Sequence, residues 1–152
     1  MLIHKKNGFT VIEAVAAIAI ISFVLVTSIT LLINILNQNK AQQAQLNAIQ
    51  YATMIRDDIQ SELLMTEASF LMSQDHPLIS SNYSTILSTL SITSIVINDA
   101  FNQVSNPYYD KTTITFISST YNSALDITVI EFSVAIEYYT NRTLEIEGII
   151  YG

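Results

Sequence analysis

Glu13 is the residue whose setting calls for chemistry: a carboxylate near the start of the apolar run in MLIHKKNGFTVIEAVAAIAIISFVLV. At membrane depth such a group costs up to about 3 kcal/mol, less near the interface, so it needs a counter-charge or a proton. The intact chain offers none close by: Lys5 and Lys6 lie upstream, and the next cation is Lys40. A cut between Gly8 and Phe9 would place a new α-amine one helical turn before Glu13, within reach of it inside the chain or from a staggered neighbour. A charge neutralised only by a neighbour favours polymers.

Enzymatic chemistry has little to work with. Beyond the apolar run there is one histidine, His76 beside Pro77, with no cysteine, no HExxH, no GxSxG and no glycine-rich phosphate loop. The serines and threonines have no visible activating partner. The chain is therefore expected not to be an enzyme, and to carry no cofactor and no metal.

The element that must position Glu13 is a long helix. Residues 14–36 hold no charge, no glycine and no proline, and at about 1.5 Å per residue they reach roughly 34 Å, enough for a hydrocarbon core of about 30 Å. A secretory signal has a shorter apolar core and a small-residue cleavage site, which this run lacks. A plain single-pass anchor fits the length and leaves Glu13 unexplained. Lys5 and Lys6 before the span, and Asp57, Asp58, Glu62 and Glu67 beyond it, put the N-terminus in the cytoplasm and the remainder outside.

From Phe9 to His76 there is neither glycine nor proline. One straight helix is expected from Phe9 to around Leu71. Its second half, residues 37–72, is amphipathic, with Leu46, Ile49, Ala52, Ile55, Ile59 and Leu63 as the stripe that packs on a sheet. Residues 73–152 read as a β-rich domain: ILSTLSITSIVIN and TTITFIS carry β-branched residues, with the turn SNPYYD between them. VIEFSVAIEYY and TLEIEGIIYG form a hairpin. Centring it on Asn141 opposes Tyr138 with Leu144 and Ile136 with Ile146, and sets Glu137 against Glu145.

The leader MLIHKKNG, followed by FTVIE and a long apolar helix, resembles the class III signal of type IV pilins and the related pseudopilins of type II secretion and competence systems. The resemblance rests on basic Lys5 and Lys6, Gly8 before the cut, Phe9 as the mature first residue, Thr10, and Glu13 as the mature fifth. It implies an α+β, pilin-like fold, with a long N-terminal α-helix, its first half (residues 9–36) transmembrane, packed on a small antiparallel β-sheet. It also implies that a prepilin peptidase removes residues 1–8 and methylates the new amine at Phe9, and that Thr10 and Glu13 serve assembly. The implied partners are other pilin or pseudopilin subunits, the peptidase, the inner-membrane platform protein of the assembly ATPase machine, and the membrane itself. The absence of cysteine departs from the many Gram-negative pilins that close a C-terminal loop with a disulfide. Some pseudopilins bind calcium through loop oxygens, but the spacing of Asp99, Asp110 and Asp126 matches no calcium loop.

Charge limits the partners further. Thirteen acids face six lysines and arginines, and no basic stripe carries aromatics, so direct nucleic-acid binding is not expected. The expected role is that of a structural, minor subunit of a competence or secretion pseudopilus, held in the cytoplasmic membrane and then in a cell-surface or periplasmic filament. The rival is a membrane-anchored extracellular binding or adhesion module that does not polymerise.

Overall fold

A computed structural model of the chain describes residues 10–74, 76–90, 95–102 and 106–152. The architecture is α+β: a long helix α1 (Val11–Glu62), a short helix α2 (Met65–Ser73), strand β1 (Leu78–Ile79), helices α3 (Tyr83–Leu90) and α4 (Ile95–Ala100), a 3-10 turn (Tyr109–Lys111), and strands β2 (Thr112–Asn122), β3 (Ile127–Tyr138) and β4 (Arg142–Tyr151). The chain divides into two units between Ala41 and Gln42.

Among the described residues the first unit is helix from Val11 onward. Its large apolar side chains between Val11 and Leu36 remain 50–82% exposed, far more apolar surface than a soluble domain leaves open to water. Three hydroxyls in this stretch are satisfied within the helix: Thr27 Oγ1 donates to the Phe23 carbonyl at 3.0 Å, Ser28 Oγ to Val24 at 2.7 Å and Thr30 Oγ1 to Val26 at 2.9 Å. Donors that need no outside acceptor suit an apolar solvent. By length and composition this helix can cross a membrane.

In the second unit the last turns of α1 pack on an antiparallel sheet of order β1-β2-β3-β4. Ala48, Ala52, Ile55, Ile59 and Leu63 are buried with Ile114, Ile130, Phe132, Val134, Ile136 and Ile150. The stripe differs from the expected one at its start, because Leu46 is 55% exposed, Ile49 is only partly buried and outside the core cluster, and Ala48 is buried instead. Counting back from Ala52 by one helical turn reaches Ala48, whereas Leu46 falls off that face. Alanine at 48 and 52 brings the helix close to the strands. Gly148 on β4 completes the approach, since a Cβ there would overlap the Phe132 ring and lie 2.9 Å from Arg56 Cγ.

The helix from Phe9 to Leu71 is not what forms. α1 runs from Val11 to Glu62, and Leu64 then takes an extended conformation, φ −71° and ψ 148°, before α2. No glycine or proline marks the break. Glu67 makes it, its Oε2 accepting the Leu64 N–H at 3.1 Å and so capping a new helix. Leu63 turns into the core while Leu64 stays exposed.

Two further expectations are corrected. In ILSTLSITSIVIN, residues 91–94 lie outside the described residues, and the described ones form helical segments, the end of α3 and most of α4, rather than a strand. Asn82 starts α3: its Oδ1 accepts the Ile79 N–H at 2.9 Å, its Nδ2 donates to the Pro77 carbonyl at 2.9 Å, and its own carbonyl accepts from Ile86 at 3.1 Å. Tyr83 then stacks on Phe101 with ring centroids 4.9 Å apart, so packing overrides the β-branched composition.

The terminal hairpin keeps its faces but shifts its register. Tyr138 opposes Arg142, Ile136 opposes Leu144 and Val134 opposes Ile146. Thr140 and Asn141 both have positive φ, 49° and 61°, which tightens the turn around Thr140 rather than Asn141. A shift of two residues preserves which side chains face the core. Glu137 therefore opposes Thr143 and Glu145 opposes Ala135, and the expected acid pair does not form.

Candidate functional site

Glu13 sits in the first turn of α1, and Thr10 precedes that helix. The two residues bind each other reciprocally. The Thr10 N–H and its hydroxyl both donate to Glu13 Oε2 at 2.9 Å, while the Glu13 N–H donates to Thr10 Oγ1 at 3.4 Å. This is a capping box, in which a threonine and a glutamate three residues on satisfy donors that a helix start leaves free. The helix dipole also favours a carboxylate there.

That arrangement gives Glu13 a role inside its own chain. It also fixes the rotamer so that both Thr10 donors are spent on one oxygen. Oε1 has no hydrogen-bond partner among the described residues and is the atom on which an ammonium from another group would act. The expected cleavage pair Gly8 and Phe9, and the basic Lys5 and Lys6, lie outside the described residues. Thr10 and Glu13 are thus the two sequence-derived site residues that can be placed, and they are in contact. Thr10-Val11-Ile12-Glu13 is itself the sequence signature of a capping box, so this pairing was open to a reading by spacing alone.

The second unit gathers no catalytic constellation among the described residues. His76 is exposed in a bend beside Pro77. Arg56 Nη2 pairs with Asp57 Oδ1 at 2.6 Å, beside an open recess lined by Gln60, Glu147, Gly148 and Ile149. Partial burial, and then the Asp99 and Asp57 carboxylates, hold the Asp58 carboxyl above its usual range. Of the loop acids, Asp126 accepts the Tyr121 hydroxyl at 2.7 Å, and this bond raises the phenol above its usual range. No group of three or more metal-ligating side chains gathers among the described residues.

One structural hub escaped the sequence. In SNPYYD, Asn106 is buried; its Nδ2 donates to the Ala100 carbonyl at 2.7 Å and to Thr112 Oγ1 at 3.1 Å, and its Oδ1 accepts the Tyr108 N–H at 2.9 Å. Asn106 thereby ties α4 to the start of β2. The Asn-Pro dipeptide signals the turn but not the burial.

In comparisons with known proteins, no family model, no curated protein and no solved structure matches the chain.

Proposed function

We propose that the chain is a structural subunit of a type IV pilus-like filament, such as a competence or type II secretion pseudopilus, cut between Gly8 and Phe9. The observation that carries this reading is Glu13 at the head of an exposed apolar stretch, residues 14–36, that holds no charge, with Oε1 open and Oε2 held by Thr10. In a membrane the open oxygen favours a cationic partner, and the α-amine of a neighbouring processed subunit supplies one. Extraction of such subunits from the bilayer buries the apolar helices against one another in the filament core. The second unit is then carried outside, and the composition of this exported portion fits a minor subunit.

One observation favours a second reading. The capping box accounts for Glu13 without any other chain, as a single-pass anchor for a binding or adhesion module would require. Processing separates the two. The protein is isolated from its native membrane, and its N-terminal sequence and mass are determined. A chain that begins at Phe9 and is about one methyl group heavier than its sequence supports the filament reading. Glu13→Ala is then expected to block assembly while leaving the protein in the membrane. A chain still beginning at Met1 while the assembly machinery is expressed overturns that reading and leaves the anchor.

A further inference from the structure

β4 is an edge strand, hydrogen-bonded to β3 on one side only. Thr128 and Gly152 exchange two backbone hydrogen bonds, at 2.9 and 3.2 Å. In an antiparallel ladder this double bond recurs at every second pair. Along the β3–β4 register, the even-numbered residues of β4 therefore bond to β3, and the N–H and C=O groups of Thr143, Glu145, Glu147, Ile149 and Tyr151 point away from the sheet. One of these acceptors is engaged: Gln60 Nε2 donates to the Ile149 carbonyl at 3.0 Å. Over residues 143–147 the outward groups have no partner among the described residues.

The other long edge is less suitable. β2 is covered by β1 at Thr113 and Ile114, and its pairing with β3 shifts between Phe116 and Ser118. A bulge of that kind twists an edge away from pairing. β4 keeps an unbroken register along its length.

Side chains narrow the choice of occupant. Glu145 and Glu147 are exposed on the face opposite the core, and Ile149 follows them on the same face, 45% exposed. A second copy of β4 paired antiparallel about Ile146 would set Glu145 of each copy against Glu147 of the other, which like charges disfavour. Residues 42–152 carry twelve acids against Arg56, Lys111 and Arg142, so the whole unit repels its own kind.

We propose that the open edge of β4 is a docking site for an extended basic segment of another protein. The segment adds as a fifth strand antiparallel to β4, with cationic side chains opposite Glu145 and Glu147 and an apolar one opposite Ile149. Backbone hydrogen bonds hold the strand and the acid pair selects its sequence. The site lies wholly in the second unit and does not depend on whether the N-terminus is processed.

The test uses the full-length protein in detergent micelles and a fluorescent peptide, Thr-Val-Thr-Lys-Thr-Lys-Thr-Thr-Thr, followed by anisotropy at low salt. Its valine faces Ile149 and its two lysines face Glu147 and Glu145. Saturable binding is expected. It should weaken about tenfold or more in Glu145→Lys/Glu147→Lys, a difference of roughly 1.4 kcal/mol. The same peptide N-methylated at both lysines keeps its charge but loses the donors that strand addition at Glu145 and Glu147 needs, and should not bind. Amide exchange at Glu145 and Glu147 should slow with the parent peptide alone. If the double lysine variant loses its far-UV circular dichroism, Glu145→Gln/Glu147→Gln takes its place, with a smaller loss expected. The proposal is overturned by an absence of binding, by binding indifferent to the acid pair, or by equal binding of the N-methylated peptide, which would mean adsorption by charge.

Discussion

One helix, α1, behaves in opposite ways in the two units. Over residues 14–36 it is apolar on every face and its large side chains stay exposed; from Gln42 it is apolar on one stripe, and that stripe is buried under a sheet. Backbone hydrogen bonding is the same throughout, so the difference lies in which solvent each face was built for. A helix that is hydrophobic all round requires an apolar surrounding, whereas a striped one requires a single partner. Small residues mark the second case: Ala48 and Ala52 let the backbone approach, and Gly148 receives Arg56 from the opposite side.

Matched substitutions on the two halves sharpen this contrast most. Ile59 is fully buried, and Ile59→Ala should cost about 2 to 5 kcal/mol in urea unfolding of the micelle-bound protein, followed by near-UV circular dichroism of the tyrosines. Leu25→Ala removes as much side chain from an exposed position and should leave that transition within about 0.5 kcal/mol of the parent. Equal losses would mean that Leu25 is packed in the isolated chain, and the comparison would fail.

The converse change introduces a charge. Leu25→Lys sets an ammonium in the middle of the apolar stretch, at a cost of about 3 kcal/mol in a bilayer, and should lose membrane retention on alkaline carbonate extraction. Gln50→Lys, on the exposed face in the second unit, should leave retention unchanged. Release of the parent itself, or equal release of both variants, would break the membrane reading of the first half.

Close approach to the sheet is tested at glycine. Gly148→Ala forces a Cβ into the Phe132 ring and against Arg56, and should cost about 1 to 3 kcal/mol. At Gly152 the nearest atom to a new Cβ would be Met65 Cβ at 3.4 Å, an ordinary contact, and Gly152→Ala should unfold with the parent. A neutral Gly148→Ala would show that the helix can move away from the sheet at little cost.

The sequence was most legible where a single period governed a long segment. The apolar helix, β3 and β4 all announced themselves through spacing, and Ile130, Phe132, Val134 and Ile136 face the core as expected. Alternation fixes only which face a residue takes, so the hairpin register was free to move by two residues, and the positive φ of Thr140 and Asn141 moved it. What stayed hidden depended on one side chain closing on distant or unremarkable backbone. Glu67 broke the long helix at Leu64 without proline or glycine, and Asn82 turned a β-branched stretch into α3. Thr10 and Glu13 were both singled out for a role between chains, while their contact with each other obeys a spacing rule that was available from the start.

The smallest expected effect lies at Asp58, on the half of α1 that meets the sheet. Partial burial and the carboxylates of Asp99 and Asp57 raise its pKa in the folded chain above that of an ordinary aspartate. The folded state therefore binds the Asp58 proton more readily than the unfolded state, and the ionised group opposes folding. As pH rises through the unfolded pKa and on through the higher folded one, this site lowers stability; below both, it has no effect. Asp58→Asn removes the charge and should stabilise the protein at neutral pH by no more than about 0.5 kcal/mol, the range of most surface substitutions. The gain should vanish as pH falls below the normal aspartate range, and thermal melts of both proteins across that interval would detect it. An Asp58→Asn protein that is less stable than the parent at neutral pH would mean that the carboxylate is held by a favourable contact, and that this face of the helix is not simply a surface of crowded acids.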